Sequence, residues 1–409
     1  MNLQKLNKVG ENVVLSTQHA IAMFGATILI PMLMGLPPSL GLLSAGVGTL
    51  IYHFFTKKMI PIFLGSSATY LAVFLSIKES SSINAAVGSF VGAAFVYFVF
   101  GFIVKKIGHK TITKLLPETV AGAVIIVIGI TLVPIALMLA ETNYLLALIA
   151  ALLMMFFSAI DYKLFNRAPL LFAMGTSYVV AYFMGLVDFS IVSQAPWFRM
   201  PEFITPSFEF NAIYMMAIVG VVSFLEHIGD LTTNGMIVGN NHFEKPGLYR
   251  SLFGQGTALL FSGLIGGTPT TTYGENNGVL AITKQFNPIY VRGAAIIAIL
   301  LSFLGKFEAL LSTIPMPVIG GISFILFGMI MMSGIASVKE STANVMEFRH
   351  AAVVFVPIFI GVASVLPNNP LQISLGNATL AGISLAAVVG ILLNLLFNLI
   401  DKINGKVDN

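Results

Sequence analysis

The sequence lacks cysteine altogether, holds one tryptophan, and is poor in charge, with Asp, Glu, Lys and Arg making up 9% of its 409 residues. The missing thiols exclude disulfide staples, cysteine nucleophiles, iron–sulfur clusters and cysteine-bound zinc. Soluble domains carry about 25% charged residues, so this chain cannot clothe a core with enough charge to stay in water. Disordered and collagen-like chains need compositions that it also lacks. What is present is apolar: 57% of the residues are hydrophobic, and 33 are Phe. The composition predicts an all-α integral membrane protein that crosses the bilayer many times.

Apolar runs of bilayer length recur almost without a break. They predict fourteen spans, at about 14–34, 40–55, 60–77, 84–104, 118–140, 143–160 and 169–187, then 211–240, 249–266, 268–284, 288–306, 315–335, 350–366 and 376–400. The polar gap at about 188–210, with Trp197 and Arg199, is too short for a soluble domain. A polar start and the lack of a small-residue cleavage site after the first span argue against a removed signal peptide.

Loops on the cytoplasmic side retain Lys and Arg. With the N-terminus inside, eighteen of the 21 Lys and Arg fall on that side, and only Lys78, Arg199 and Lys306 fall outside. This division needs an even number of spans and predicts that both termini are cytoplasmic. The formal charge of +4 is then a matter of topology. The lipid bilayer is the expected partner, and nucleic acid is not.

Seven spans precede residue 190 and seven follow it, and an odd number per half inverts the second copy, as in many secondary transporters. Two correspondences share an offset of 208 residues: Gln18-His19 with Glu226-His227, and Ser67 with Glu275. Both fall where the sequence is chemically odd. The tenth span opens GGTPTTTYGENNG from Gly266, whose Gly, Pro and Thr favour extended backbone. A regular helix is expected only from about Asn276. Pro61 and Gly65-Ser66-Ser67 interrupt the third span, with Ser66 or Ser67 expected to cap a half-helix running to Ile77. Paired broken spans would aim two positive helix ends at the midplane; packing kinks or a loop at the membrane edge are the plainer alternative.

Of the 17 acidic residues, fourteen lie in loops or at helix ends, and the exceptions are Glu226, Asp230 and Glu275. A carboxylate at the centre of a membrane helix costs roughly 2.5–3.5 kcal/mol on insertion scales, which makes each a candidate for function. Glu226 and Asp230 stand at i and i+4 on one helical face, with Gly229 and Asn234 adding room and polarity. Glu275 begins the half-helix of the tenth span, where the dipole favours its charge. No basic residue lies at comparable depth, so the site suits hydrogen-bond donors, cations or protons rather than anions. A purely structural cluster of acids is the alternative. His19 and His227 lie in apolar spans as packing residues or proton relays, whereas His242 and His350 lie near loops and are expected to face solvent. The spacing of Glu226, His227 and Asp230 matches no metal motif.

At these residues the sequence resembles the nucleobase/ascorbate transporter family, also called nucleobase:cation symporter 2, and is closest to its bacterial uracil-transporting members. The resemblance runs through QHAIAMFGATILIP at 18–31, PIFLGSS at 61–67, EHIGD at 226–230 and GTPTTTYGENNGVLAITK at 267–284. The last holds the family signature, carried here by Glu275, Asn276, Gly278, Thr283 and Lys284. The resemblance implies two inverted seven-span repeats, 1–190 and 191–409. Spans at about 14–104 and 211–306 would form a core domain, and spans at about 118–187 and 315–400 a gate domain. It also implies proton-coupled uptake across the cytoplasmic membrane, commonly by a homodimer, with no cofactor beyond the coupling proton.

Carried over by position, Glu226 and Glu275 correspond to the carboxylates that bind uracil's amide edge. Gly274 offers a backbone N–H to a carbonyl, and Tyr273 and Ala26 match other pocket positions. Ala68 stands where an aromatic often stacks on the base, so Tyr70 is expected to supply a ring instead. Asp230 replaces a histidine found in uracil permeases, as purine members often do, whereas Glu275 is not the Gln they commonly have. Uracil is favoured over xanthine or urate. Coupling needs a carboxyl whose proton affinity changes with occupancy, with Asp230 the first choice and Glu226 the second. A cation channel needs a continuous wet pore, and an intramembrane enzyme needs a nucleophile, metal set or cofactor motif; neither is evident.

Overall fold

The computed structural model describes residues 3–108, 118–160, 165, 168–341, 347–366, 371–375 and 378–403. The first part contains α1 (Leu3–Met34), α2 (Pro38–Phe55), β1 (Leu64–Ser66), α3 (Leu71–Ser80), α4 (Ile83–Gly88) and α5 (Phe90–Ile107). Next come α6 (Glu118–Ala140), α7 (Tyr144–Ala159), α8 (Pro169–Phe183) and the short α9 (Ser190–Gln194). The later part contains α10 (Phe210–Val238), α11 (Leu248–Ile265), β2 (Thr270–Thr272), α12 (Gly274–Thr283), α13 (Pro288–Ser302) and α14 (Gly305–Ser312). It closes with α15 (Met316–Glu340), α16 (Phe348–Ser364), β3 (Gln372–Leu375), β4 (Ala378–Ala381) and α17 (Gly382–Ile403).

Helix ends follow local chemistry. Pro37 and Pro38 start α2, where a missing N–H costs nothing, and the side chains of Asn143 and Asn287 cap α7 and α13. Gly239 ends α10 and Gly266 ends α11, both in the left-handed conformation that favours glycine. Among the described residues, six helices are long and apolar enough to cross a bilayer, and five shorter apolar ones accompany them. With α11 and the two interrupted spans they account for the expected crossings. Large apolar side chains such as Phe95, Leu148, Phe359 and Leu396 are exposed, which suits contact with lipid and not with water.

The helices pack in two groups. In one, α1, α2, α5, α10, α11 and α13 surround the broken spans; in the other, α6 lies along α15 with α7, α8, α16 and α17. Between the groups the contacts are sparser, chiefly α1 with α8 and α10 with α6 and α17.

Two short strand pairs lie within this all-α fold, and the first has a physical reason. The broken stretches do not end as loose loops: β1 and β2 pair antiparallel, with Leu64 opposite Thr272, Gly65 opposite Thr271 and Ser66 opposite Thr270. Pairing satisfies backbone groups that lipid cannot. Ser66 accordingly lies in a strand and Ser67 just after it, so neither caps a helix; α3 starts only at Leu71. The half-helix of the tenth span begins at Gly274, slightly earlier than expected. Residues 378–381 form the second strand of a hairpin with β3, so the last helix starts at Gly382 and not near 376.

The strand crossing is sterically tight. A Cβ on Gly65 would lie 2.2 Å from the Tyr273 ring, whereas one on Gly278 would meet nothing within 4 Å. Gly65→Ala should therefore lower stability by about 1–3 kcal/mol through overpacking. Gly278→Ala should be neutral or slightly stabilising, because alanine favours the helix. Thermal unfolding of the two purified variants in detergent checks this, and equal midpoints would contradict it.

Candidate functional site

The site is built on the strand crossing. Around β1 and β2, neighbouring helices supply polar partners to backbone groups that would otherwise be bare. Thr49 of α2 accepts from Leu64 N at 2.9 Å and donates to Leu64 O at 3.2 Å. Ser66 Oγ donates to Thr27 O on α1 at 3.1 Å, and Tyr273 Oη donates to Ser66 O at 2.8 Å. Gln255 of α11 donates to Thr270 O, and His53 Nε2 donates to Ile62 O at 3.0 Å. The crossing is thereby tied to α1, α2 and α11.

Glu226 and Asp230 project from α10 toward this crossing, each half-buried and each bonded to one broken span. Thr69, between β1 and α3, donates to Glu226 Oε2 at 2.8 Å. Thr272, in β2, donates to Asp230 Oδ2. A Cβ on Gly274 would stand 3.8 Å from Asp230 Oδ1, so the first turn of α12 lies close to the carboxylate. Glu275 follows in that turn; its side chain lies outside the described set.

Both carboxylates line a cavity of about 510 Å³. Ala68 and Thr69 form part of its wall, α6 adds Ala121, Ile125 and Ile128, and α15 adds Ile330, Ser333, Ala336 and Ser337. No described Lys, Arg or His lines it. The lining positions on α6, α10 and α15 lie toward the helix ends near Lys245 and Lys339. A second cavity of about 390 Å³ lies toward the opposite ends, lined by Leu33, Ser76, Glu79, Thr131, Met215 and Ser364 among others. The two share no lining residue.

Other expected residues fall behind the wall. Tyr70 is fully buried with its ring edge-on to Phe90, because the turn at Ala68 and Thr69 directs it into the bundle. It therefore does not stand in for a stacking aromatic. Tyr273 is also buried, its hydroxyl spent on Ser66 O and its ring against Gly65. Ala26 is half-buried on α1, outside the cavity wall. Gln18 is half-buried, and His19 is buried, with Nδ1 3.0 Å from Asn276 Nδ2. This pair ties α1 to α12. Gly278 is exposed on α12, and Thr283 turns its hydroxyl back onto Val279 O at 2.8 Å near the helix end. His227 packs away from the cavity, 2.7 Å from Ser251 Oγ, among the rings of Tyr52 and Tyr97.

Two expectations need correction. Asn234 does not line the cavity but is buried against Asn277, and His242 is buried as well, bonded to Asn234 and not to solvent. The fold of the loop after α10 brings them together. Thr69 and Thr272 were missed, since threonine in a broken span reads as backbone chemistry until its partner is seen.

The Permease family matches residues 10–368 of the chain. A uracil permease of Bacillus caldolyticus is 39% identical over 412 residues, covering 97% of this chain and 94% of that protein. Uracil permeases of Bacillus subtilis strain 168 and Escherichia coli K12 are 37% and 36% identical, each covering more than nine-tenths of both chains. Among solved structures, the transmembrane domain of the cyanobacterial bicarbonate transporter BicA superposes with a TM-score of 0.67 at 16% identity, covering 96% of this chain and 98% of that one. Murine Slc26a9, an anion transporter in the inward-facing state, gives a TM-score of 0.70 at 11% identity, covering 95% of this chain and 68% of that one. At such identities the likeness concerns the fold alone. The match over residues 10–368 and relatives 36–39% identical over nearly the whole chain make this chain a member of the permease family of nucleobase/ascorbate transporters, a multi-pass membrane protein of the transporter class.

Proposed function

We propose that the chain imports uracil together with a proton across the cytoplasmic membrane by alternating access. The observation that carries this reading is the single cavity in which Glu226 and Asp230, each bonded to a different broken span, face a wall without described basic side chains. Uracil has two N–H donors and two carbonyl acceptors. Glu226 and Glu275 accept from the donors, and backbone N–H groups at Gly274 and the start of α12 serve a carbonyl. Glu226 accepts from Thr69 and lines the cavity, where its carboxyl oxygens also face a ligand.

Asp230 carries the coupling proton in this reading, with Glu226 the second candidate. The group around the broken spans acts as the core domain, and α6 with α15 leads the gate domain. The separate cavities toward the two membrane faces suit a site closed to one face while open to the other, and favour a carrier over a channel. Leu64 and Thr272 face each other at the same 208-residue offset that relates Gln18 to Glu226, which supports inverted repeats. Both termini are placed in the cytoplasm by the distribution of basic residues, and the working form is a homodimer. Uracil is preferred to xanthine or urate because the relatives described above are uracil permeases.

Uptake of labelled uracil, challenged by unlabelled uracil, xanthine, hypoxanthine and urate with and without a protonophore, tests the proposal directly. Uracil should compete best and the protonophore should abolish accumulation; stronger competition by xanthine would move the chain to the purine branch. Glu226→Gln and Glu275→Gln should each abolish uracil binding to purified protein, and retained wild-type affinity would remove that residue from the site. For Asp230→Asn, binding should survive while uptake no longer responds to an imposed proton gradient; unaltered gradient-driven uptake would end the assignment. Thr69→Val should weaken binding roughly tenfold, the loss expected for one hydrogen bond to a charged group, measured by isothermal titration.

A further inference from the structure

One buried amide joins α10 to α12, to the approach to β1 and to the loop after α10. Asn234 lies one turn beyond Asp230 on α10 and is fully buried. Its Nδ2 donates to Asn277 Oδ1 on α12 at 2.6 Å and reaches Pro61 O, just before β1, at 3.5 Å. Its Oδ1 lies 2.9 Å from His242 Nε2, in the loop that follows α10. The orientation of the amide follows from chemistry. A proline carbonyl only accepts, so the amide nitrogen faces Pro61 and the oxygen faces His242. An amide oxygen also only accepts, so His242 presents an N–H at Nε2.

The loop is folded so as to hold that imidazole in place. Asn240 N donates to Gly235 O at 3.0 Å, and a Cβ on Gly235 would fall 2.7 Å from Asn240 O. His242 is buried by the same turn. A partner is needed here because α12 is a ten-residue helix, too short to be stable by itself, with extended backbone before it. Its neighbouring side chains Asn276 and Asn277 tie it in two directions, to His19 on α1 and to Asn234 on α10.

We propose that Asn234 is a positioning residue for transport. It locks α10, α12 and the approach to β1 into one body, and His242 orients it through the Nε2–H. The spacing between the carboxyls on α10 and Glu275 on α12 then stays constant while the site changes its access. This rests on the transport reading given above, and the test below separates the two.

Two measurements are made on Asn234→Ala, His242→Phe, His242→Gln and the Asn234→Ala/His242→Phe double variant: uracil uptake kinetics, and hydrogen–deuterium exchange of residues 274–283 in purified protein. Asn234→Ala should raise KM roughly tenfold, as expected for a broken buried hydrogen bond, with a much smaller effect on maximal rate, and should speed exchange in α12. His242→Phe should reproduce both effects, whereas His242→Gln keeps an N–H donor and should stay near wild type. The double variant should be no worse than Asn234→Ala alone, since both act on one interaction. Unchanged exchange in α12 for Asn234→Ala, or His242→Gln as damaging as His242→Phe, overturns the proposal. If the wild-type chain fails to take up uracil, the transport reading falls, and the exchange arm, which needs no substrate, still decides whether the lock exists.

Discussion

Every peptide group inside a bilayer has to find its partner within the protein, and the pairing of β1 with β2 is how this fold meets that demand while opening a site. Two strands of three residues would not hold together in water. Here they are enclosed, and side chains from α2 and α11 complete hydrogen bonds that so short a ladder leaves open. Thr49 and Gln255 thus act as surrogate strand neighbours. Their burial would be costly in a regular helix bundle, and it is justified only because the backbone beside them is irregular.

The crossing also determines where the acids can be. Glu226 and Asp230 stand one turn apart on α10, and each meets a threonine from a different broken span. Thr69 follows β1 and Thr272 lies in β2, so the two broken spans reach α10 at acids one helical turn apart. The carboxylates are therefore held by the irregular segments and not merely adjacent to them. A shift of one strand against the other would part an acid from its donor.

The membrane class and the broken spans were legible in the sequence because each rests on composition or on residues with strong local rules, such as the Thr-Pro-Thr run and the glycines around it. The acids at 226 and 230 were legible because helical periodicity alone places them on one face. What remained hidden depends on contacts that no local rule encodes. Ser66 and Ser67 look like helix caps until the distant Thr270 claims the backbone, and Tyr70 looks like a pocket ring until the turn at Ala68 directs it inward. His242 looks like a loop histidine facing solvent, since nothing local signals that the chain folds back onto Asn234. Local rules describe what a segment can do alone, and these residues are governed by a partner.

The shared scaffold explains why proteins of very different substrates can have this shape. Half-helices that start near the midplane offer positive ends and free N–H groups whatever the ligand, and such ends by themselves suit an anion. In this chain the cavity wall adds the carboxylates of Glu226 and Asp230 and no described basic side chain. These carboxyls add acceptors beside the helix ends, and a free anion, which brings only acceptors, gains little from them. A flat neutral ring with donors on one edge and acceptors on the next satisfies both sets of groups at once. In the proposed reading the fold contributes the donors, and the acids on α10 contribute the acceptors that such a ring needs.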